Sequence, residues 1–321
     1  MAKYKVVVTG DILPSALAAL EEQCEVRQWN KNAPAESAKL LQDAEGLFVA
    51  GKIQVNETLL ASAPKVRVIA QPAVGYDNID LAACTSRKIP FGNTPGVLVE
   101  ATADLTFALL LTAARRIHEG WDWVRKGKWH QGMQLPFGVD LYNKTVGIVG
   151  MGAIGSAVAR RAQASGMKVI YHNRHPRSDQ ELIKAEYRTF DQLLAEADFI
   201  VVLTPLTAES QGRFGVKEFA QMKPTAYFIN ASRGPVVDTQ ALYTALAERQ
   251  IAYAALDVTD PEPLPPDHPL LKLPNILVTP HIGSATTETR NKMAILAAEN
   301  ILLGLARKPL LTCVNSEVNY R

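Results

Sequence analysis

A glycine-rich turn between an apolar strand and an alanine-rich helix most constrains how this chain can fold. Residues 145–165 read TVGIVGMGAIGSAVARRAQAS, which places Gly150, Gly152 and Gly155 directly after the apolar run. Glycines at this spacing permit a tight turn, the close approach of a pyrophosphate to the backbone, and close packing of the helix on the strand. A glycine turn without a ligand is the competing interpretation. The context favours a dinucleotide-binding sheet.

The start of the helix that follows the turn supports the same prediction. The helix opens at Ala153 and Ile154. Amide hydrogens in the first turn of a helix have no partner inside it, and the positive end of the helix dipole attracts anions. We therefore expect both residues to contact the phosphates of a bound dinucleotide.

The residues at the end of the next apolar strand are expected to determine the preference between NAD and NADP. NAD-binding folds place there an acidic residue that hydrogen-bonds the ribose 2′-hydroxyl, whereas this chain has Asn173 followed by Arg174. A 2′-phosphate is not repelled at such a site, and Arg174, with Arg177 close behind, can pair with it. The pattern predicts NADPH/NADP+ as the preferred cofactor, with NADH/NAD+ as the alternative. A solvated pair of surface arginines is the competing interpretation.

Six short apolar runs predict the strands of this sheet. They are Thr145–Val149, Lys168–Tyr171, Phe199–Leu203, Ala226–Asn230, Ala252–Leu256 and Ile276–Thr279. Open parallel sheets bind ligands outside the carboxyl ends of their strands, so the polar residues that follow the strands should converge on one crevice. The candidates for cofactor contacts at these ends are Thr204, Pro205, Ser232, Asp257, His281 and Ser284.

Three charged or titratable side chains in these loops form the predicted catalytic set. Arg233, in NASRGPVVD, can grip a carboxylate with two hydrogen bonds. His281, in VTPHIGSAT, can exchange a proton with a substrate oxygen, and Glu262, in DVTDPEPL, can reach its ring from the neighbouring strand end. Taken singly, an ion pair that braces a loop, a structural histidine and a solvated carboxylate are the alternatives.

The first hundred residues show the same alternation of short apolar runs and helical segments, which predicts a second parallel sheet. The segment QPAVGYDNID places Val74 and Gly75 after one of its strands, where backbone amides can bind an anion. Ordinary turn chemistry is the alternative there. From Val99 to about Lys126, helical spacing of apolar residues predicts one long helix leading into the second domain.

The chain resembles the D-isomer-specific 2-hydroxyacid dehydrogenase family, and more narrowly its glyoxylate/hydroxypyruvate reductase branch, which includes 2-ketogluconate reductases. The segments that carry the resemblance are AVGYDN, EATADLTFALLL, GIVGMGAIG, INASRGPVVD, ALDVTDPEPL and TPHIGSAT. The resemblance implies an α/β fold of two doubly wound parallel-sheet domains, with a Rossmann cofactor domain inserted into a flavodoxin-like substrate domain. The substrate domain would be residues 1–98 and 287–321, and the cofactor domain residues 99–286.

The same resemblance implies roles for individual residues. Arg233 would bind and polarise the substrate, His281 would exchange the proton, and Glu262 would orient and charge the histidine. The amides of Val74 and Gly75 would bind the substrate carboxylate. Residues expected near the nicotinamide are Thr102, Ser232 and Asp257.

The implied reaction is NADPH-dependent reduction of small 2-oxo acids, namely glyoxylate, hydroxypyruvate and 2-ketogluconate, to 2-hydroxy acids. Lys52 would meet the distal part of a longer sugar-acid substrate. Two alternatives stay open: a nucleotide-sensing binding scaffold of the same fold, and an enzyme like phosphoglycerate dehydrogenase.

Composition limits the partners. The formal net charge of +2 indicates neither nucleic acid nor an anionic membrane, and no metal-binding spacing is evident. Three cysteines without redox spacing, and an N-terminus without the features of a signal peptide, predict a cytoplasmic protein. The aromatic residues of the segment before the glycine-rich strand predict a homodimer interface; they are Trp121, Trp123, Trp129, Phe137 and Tyr142.

Overall fold

The computed structural model describes residues 3–29, 34–51, 53–130, 132 and 135–318. The chain divides into two compact units, one formed by Met1–Leu98 with Ser284–Arg321 and the other by Val99–Gly283. The sequence predicts a cofactor domain of residues 99–286 between the two segments of a substrate domain, and this assignment of domain roles stays a prediction. Ser284 begins the returning segment of the first unit.

The described residues form short strands joined by helices. The strands are β1 (Tyr4–Val8), β2 (Cys24–Gln28), β3 (Gly46–Phe48), β4 (Val68–Ala70), β5 (Phe91–Gly92), β6 (Thr145–Val149), β7 (Lys168–His172), β8 (Glu186–Tyr187), β9 (Phe199–Val202), β10 (Tyr227–Asn230), β11 (Tyr253–Leu256) and β12 (Ile276–Val278). The α-helices are α1 (Pro14–Glu21), α2 (Pro34–Leu41), α3 (Glu57–Ala61), α4 (Leu81–Ser86), α5 (Val99–Ala114), α6 (Ile117–Arg125), α7 (Ala153–Ala164), α8 (Gln180–Ile183), α9 (Phe190–Glu196), α10 (Val216–Gln221), α11 (Thr239–Ala247) and α12 (Thr287–Leu305).

The first unit contains a five-stranded parallel sheet in the order β2-β1-β3-β4-β5. This is the flavodoxin-like order. Strand β1 pairs with both neighbours, with Val6 opposite Val26 on one side and Gly46 on the other. Helix α12 packs on this sheet, where Ile301 and Leu305 are buried, because a parallel sheet must be covered on both faces.

The second unit contains a seven-stranded parallel sheet in the order β12-β11-β10-β9-β6-β7-β8. The order reverses between β6 and β9, and a doubly wound sheet binds its ligand at the carboxyl ends of the strands beside such a reversal. Separate apolar clusters cover its two faces, one around Leu193 and Phe228 and the other around Leu110 and Tyr171. Both faces of the sheet are therefore buried, and the polar side chains that a ligand can reach lie at the ends of its strands.

The predicted α/β fold of two doubly wound parallel-sheet domains is confirmed, and two details are corrected. The sheet of the second unit has seven strands rather than six, because β8 adds an edge strand of two residues that is too short to show an apolar pattern. The helix predicted from Val99 to about Lys126 is two helices, because Arg116 adopts a left-handed conformation (φ 53°) between α5 and α6.

None of the helices in the described part of the chain combines the length and apolar composition needed to cross a bilayer.

Candidate active site and cofactor site

The glycine-rich turn has the geometry that a dinucleotide needs. Gly150 has a φ of +101°, and a Cβ there would lie 2.7 Å from the Leu203 carbonyl carbon. A Cβ on Gly155 would lie 2.5 Å from the Gly150 oxygen, so this glycine brings α7 close to the turn. At Gly152, apart from the adjoining residues and its own helix, no atom of the described chain lies within 4 Å of the Cβ position, which leaves room for a phosphate at the helix N-terminus.

The start of α5 offers a polar atom without a protein partner. Thr102 is buried, and its Oγ1 has no hydrogen-bond partner within the described chain. A Cβ added to Gly283 would lie 3.4 Å from Thr102 Cγ2, so this threonine lies beside the loop that carries His281. Buried hydroxyl groups are normally satisfied, so the Thr102 hydroxyl is available to a ligand.

The residue at the ribose-binding position is bonded to the glycine-rich turn. Asn173 Oδ1 accepts a hydrogen bond of 2.7 Å from the Met151 amide. Arg177 also reaches this turn, since its Nη1 donates to the Met151 carbonyl at 2.9 Å. Its other nitrogens form two bonds to Asp179, at 2.7 and 2.6 Å, and these bonds hold the pKa of the Asp179 carboxyl below its usual range. Arg177 is thus engaged by the protein itself.

Arg174 is the more accessible of the two guanidinium groups. Its side chain is 85% exposed, and its Nη1 lies 3.6 Å from Glu209 Oε2. An exposed ion pair at this distance contributes little to stability, and another anion can readily replace Glu209 beside the guanidinium. A 2′-phosphate could therefore bind Arg174, but Glu209 would compete for it.

Two further cofactor candidates lie at the end of β9. The Thr204 amide lies 2.8 Å from the Cβ position of Gly150, so this loop packs directly on the glycine-rich turn. The Pro205 carbonyl accepts a hydrogen bond of 2.7 Å from Ser210 Oγ. The bond closes the loop that carries Glu209 and keeps Thr204 and Pro205 at the carboxyl edge of the sheet.

Asn230, the last residue of β10, shapes the turn that carries Arg233. Its Oδ1 accepts from both the amide (3.0 Å) and the hydroxyl (2.8 Å) of Ser232, and its Nδ2 donates to the Arg233 carbonyl at 3.1 Å. Asn230 is 1% exposed, so these bonds are protected from water. The sequence analysis did not select Asn230, although an asparagine ending a buried strand in NASRG was an available signal.

Asp257, which follows β11, organises the loop that carries His281. Its Oδ1 accepts from Thr279 Oγ1 at 2.7 Å and from the Ile282 amide at 2.8 Å, while its Oδ2 accepts from the Gly283 amide at 2.8 Å. The carboxylate is 2% exposed. A buried charge is stable only when several donors surround it, so Asp257 holds the loop in one conformation. Its predicted contact with the cofactor remains a prediction.

His281 and Glu262 are in direct contact. The ring Nδ1 lies 2.8 Å from Glu262 Oε1, and both side chains are partly accessible, at 43% and 23%. His281 has a φ of +53°, a left-handed conformation that few residues other than glycine and asparagine adopt. Because Glu262 engages Nδ1, Nε2 is the ring nitrogen that this contact leaves unoccupied.

The turn of Arg233 packs against the loop of Glu262. A Cβ on Gly234 would lie 1.9 Å from the Thr259 carbonyl oxygen, so the two backbones are as close as a glycine allows. Arg233 itself donates from Nη1 to the Ser232 carbonyl at 2.8 Å. The second unit therefore gathers the arginine, the glutamate and the histidine from three adjacent strand ends, together with the glycine-rich turn.

The profile of the D-isomer specific 2-hydroxyacid dehydrogenase NAD-binding domain matches residues 107–283, more than half of the chain. The chain is 44% identical to the glyoxylate reductase of Korarchaeum cryptofilum over 324 residues, covering 98% of this chain and 97% of that protein. The chain belongs to the D-isomer-specific 2-hydroxyacid dehydrogenase family. The family that the sequence motifs predict is thereby confirmed, and the dehydrogenase is an oxidoreductase.

Further relatives of this dehydrogenase agree. It is 46% identical to the glyoxylate reductase/hydroxypyruvate reductase of Mus musculus over 310 residues, covering 94% of each chain. A solved structure of the NADPH-dependent glyoxylate/hydroxypyruvate reductase of Sinorhizobium meliloti, in complex with NADP and malonate, is 33% identical. It superposes with a TM-score of 0.92 and covers 100% of this chain and 99% of that one. The predicted glyoxylate reductase branch is confirmed as well.

Of the remaining predicted site residues, Ala153 and Ile154 begin α7 in the second unit, whereas Val74, Gly75 and Ser284 belong to the first. Val74 and Gly75 lie in the loop that follows β4, at the carboxyl edge of the five-stranded sheet. Ser284 lies just before α12. Lys52 lies outside the described residues.

Proposed function

We propose that this protein is an NADPH-dependent reductase that converts glyoxylate and hydroxypyruvate to the corresponding 2-hydroxy acids, and that 2-ketogluconate is also a substrate. The observation that carries the proposal is the 2.8 Å contact between His281 and Glu262, next to the Arg233 turn on a dinucleotide-binding sheet. The names of the Korarchaeum, mouse and Sinorhizobium relatives support the substrate class.

The residues divide the work of reduction among them. A bound reduced nicotinamide supplies the hydride. Arg233 binds the carboxylate and polarises the carbonyl, and the amides of Val74 and Gly75 are further donors to the carboxylate. His281, protonated, donates its Nε2 proton to the substrate oxygen as negative charge develops there. Glu262 accepts a hydrogen bond from Nδ1 and stabilises the positive charge of the imidazolium ring.

The direct test follows oxidation of NADPH and NADH with glyoxylate, hydroxypyruvate and 2-ketogluconate, and with 3-phosphohydroxypyruvate as a comparison. We expect turnover of glyoxylate and hydroxypyruvate and a higher kcat/KM with NADPH. Preference for the phosphorylated substrate would instead favour an enzyme like phosphoglycerate dehydrogenase. Cofactor binding without turnover of any of the four would favour a nucleotide-sensing scaffold.

The cofactor preference is proposed to depend on Arg174. Arg174→Ala should weaken binding of NADPH by about tenfold to a hundredfold, because a charge-assisted contact with the 2′-phosphate is worth about 1.5–3 kcal/mol. NADH binding should change little. Glu209→Gln is the matched variant: it removes the competing carboxylate at 3.6 Å and should strengthen NADPH binding. Fluorescence titration of both cofactors measures these constants, and an equal effect of Arg174→Ala on both would contradict the assignment.

The protein is proposed to be a homodimer formed through the segment around α6. Several aromatic side chains there are exposed in the single chain, since Trp121 is 64%, Trp129 is 77% and Phe137 is 90% accessible. Apolar surface of this kind favours burial against a second copy. Tyr142 is also exposed and Trp123 is partly buried.

Light scattering at micromolar concentration should give twice the mass of one chain. Trp121→Glu should shift the population toward monomer, because it places a charge in the proposed interface. Leu182→Glu changes another exposed apolar residue, outside this segment, and should leave the dimer intact. A monomeric wild-type protein would contradict the proposal.

We also place the protein in the cytoplasm. Its three cysteines are free thiols, and burial raises the pKa of Cys24 and Cys84 to about 11, which disfavours the reactive thiolate. A reducing compartment suits such residues. Fractionation of cells that produce the protein checks this assignment.

A further inference from the structure

In the loop after β4, three successive backbone carbonyls accept hydrogen bonds from the protein, whereas two of the backbone amides have no acceptor within the described chain. The carbonyls of Ala73, Val74 and Gly75 accept hydrogen bonds from the Thr94 amide (2.9 Å), Asn93 Nδ2 (2.9 Å) and Gln71 Nε2 (2.7 Å) respectively. Within the described chain, the amides of Val74 and Gly75 donate to no acceptor. A loop whose carbonyls are fixed and whose successive amides are unused has the form of an anion-binding concavity.

Gln71 is the centre of this arrangement. Its side chain is buried at 5% exposure, and its backbone amide donates to the Gly92 carbonyl at 2.9 Å, which fixes its place beside β5. The side-chain amide uses both ends: Nε2 donates to the Gly75 carbonyl, and Oε1 accepts from Asn78 Nδ2 at 3.0 Å. The orientation of the Gln71 amide is therefore determined by its partners.

Asn78 extends the arrangement to a second loop. Its Nδ2 also donates to the Ile53 carbonyl at 3.0 Å, in the loop after β3. The two side-chain amides thus connect the loops after β3 and β4 at the carboxyl edge of the five-stranded sheet. These hydrogen bonds are partly buried, and they restrict the conformations of both loops because breaking them leaves polar groups unsatisfied.

We propose that Gln71 and Asn78 are positioning residues for the substrate carboxylate: they hold the Val74–Gly75 loop so that its amides are available as donors. The inference rests on the proposed function, because it needs the carboxylate of a 2-oxo acid as the ligand of these amides. Neither residue touches the substrate. They restrict the conformations of the loop before the substrate binds, so less entropy is lost on binding.

The test compares Gln71→Met with Gln28→Met. Methionine keeps the approximate length of glutamine and removes its hydrogen bonds. Gln28 is a matched control, because its Nε2 also donates to a glycine carbonyl of the first unit, that of Gly10 at 2.6 Å, which lies in the loop after β1. The readouts are KM and kcat for glyoxylate, the inhibition constant of malonate, the Kd of NADPH and the melting temperature.

Gln71→Met should raise the KM for glyoxylate and the inhibition constant of malonate together, by about tenfold, the change expected for one buried hydrogen bond. We expect kcat to fall by less than about threefold and the Kd of NADPH to stay the same, since the glycine-rich turn and Arg174 lie in the other unit. Gln28→Met should leave all four constants near wild type. Asn78→Asp, which replaces the donating amide by an acceptor, should act in the same direction as Gln71→Met.

Other outcomes would overturn the inference. An unchanged KM in Gln71→Met would show that the two amides serve the fold only. The same conclusion would follow if kcat fell and both KM and the Kd of NADPH rose by equal factors. If Gln71→Met does not fold, Gln71→Glu gives the same comparison, because it keeps the size and the acceptor for Asn78 but loses the donor to Gly75. Absence of 2-oxo acid reduction by the wild-type protein would instead refute the proposed function, which separates the two failures.

Discussion

His281→Asn is expected to lower kcat for glyoxylate reduction by about 10²–10⁴-fold, the usual contribution of a positioned acid or base. Asparagine is the suitable replacement because position 281 has a φ of +53°, which asparagine tolerates better than most residues. Asp257 holds the loop itself through the Ile282 and Gly283 amides. We therefore expect NADPH binding and the melting temperature to change little, and steady-state kinetics with fluorescence titration to separate chemistry from binding.

Glu262→Gln is the companion variant. Glutamine can still accept a hydrogen bond from Nδ1, so the ring keeps its orientation, but the charge that stabilises imidazolium is lost. Its kcat should fall by less than that of His281→Asn. A His281→Asn variant that reduces glyoxylate at the wild-type rate would mean that the proton comes from another group.

Gly234→Ala is expected to damage stability and activity together. The added Cβ would lie 1.9 Å from the Thr259 carbonyl oxygen and 2.1 Å from its carbon, and because both atoms belong to the backbone, no side-chain rotation relieves the clash. The turn of Arg233 and the loop of Glu262 must move apart. Overpacking of this kind costs about 1–3 kcal/mol, and a displacement of about 1 Å at a reacting centre costs about a hundredfold in rate.

Gly152→Ala provides the contrast, because only adjoining residues and its own helix come within 4 Å of its Cβ position among the residues that the structure describes. Its melting temperature should stay near that of the wild type, while its KM for NADPH rises, since the methyl group takes the space left for a phosphate. Thermal unfolding and cofactor titration of the two variants make the comparison. A Gly234→Ala variant with wild-type stability and kcat/KM would show that the two loops separate without cost to the site.

The sequence by itself determined the chemistry at the strand ends. Glycines at 150, 152 and 155 have the spacing typical of a phosphate-binding turn, and the apolar runs that precede Arg233 and His281 place those side chains at one edge of a parallel sheet. Such features are local, because turn geometry and strand direction follow from a few neighbouring residues. The two parallel sheets were predictable for the same reason.

Only the tertiary structure decided which groups hold these residues in place. Asp257 was predicted as a cofactor contact, yet its carboxylate binds two amides and a hydroxyl of the His281 loop, which follows the next strand. Gln71 and Asn230 lie at the ends of strands, but a strand pattern does not show their hydrogen-bond partners, because these depend on how the loops fold back. The break at Arg116 was equally hidden, since helical spacing continues across it. Hydrogen bonds between distant loops depend on the packed fold, and periodicity along the chain does not encode them.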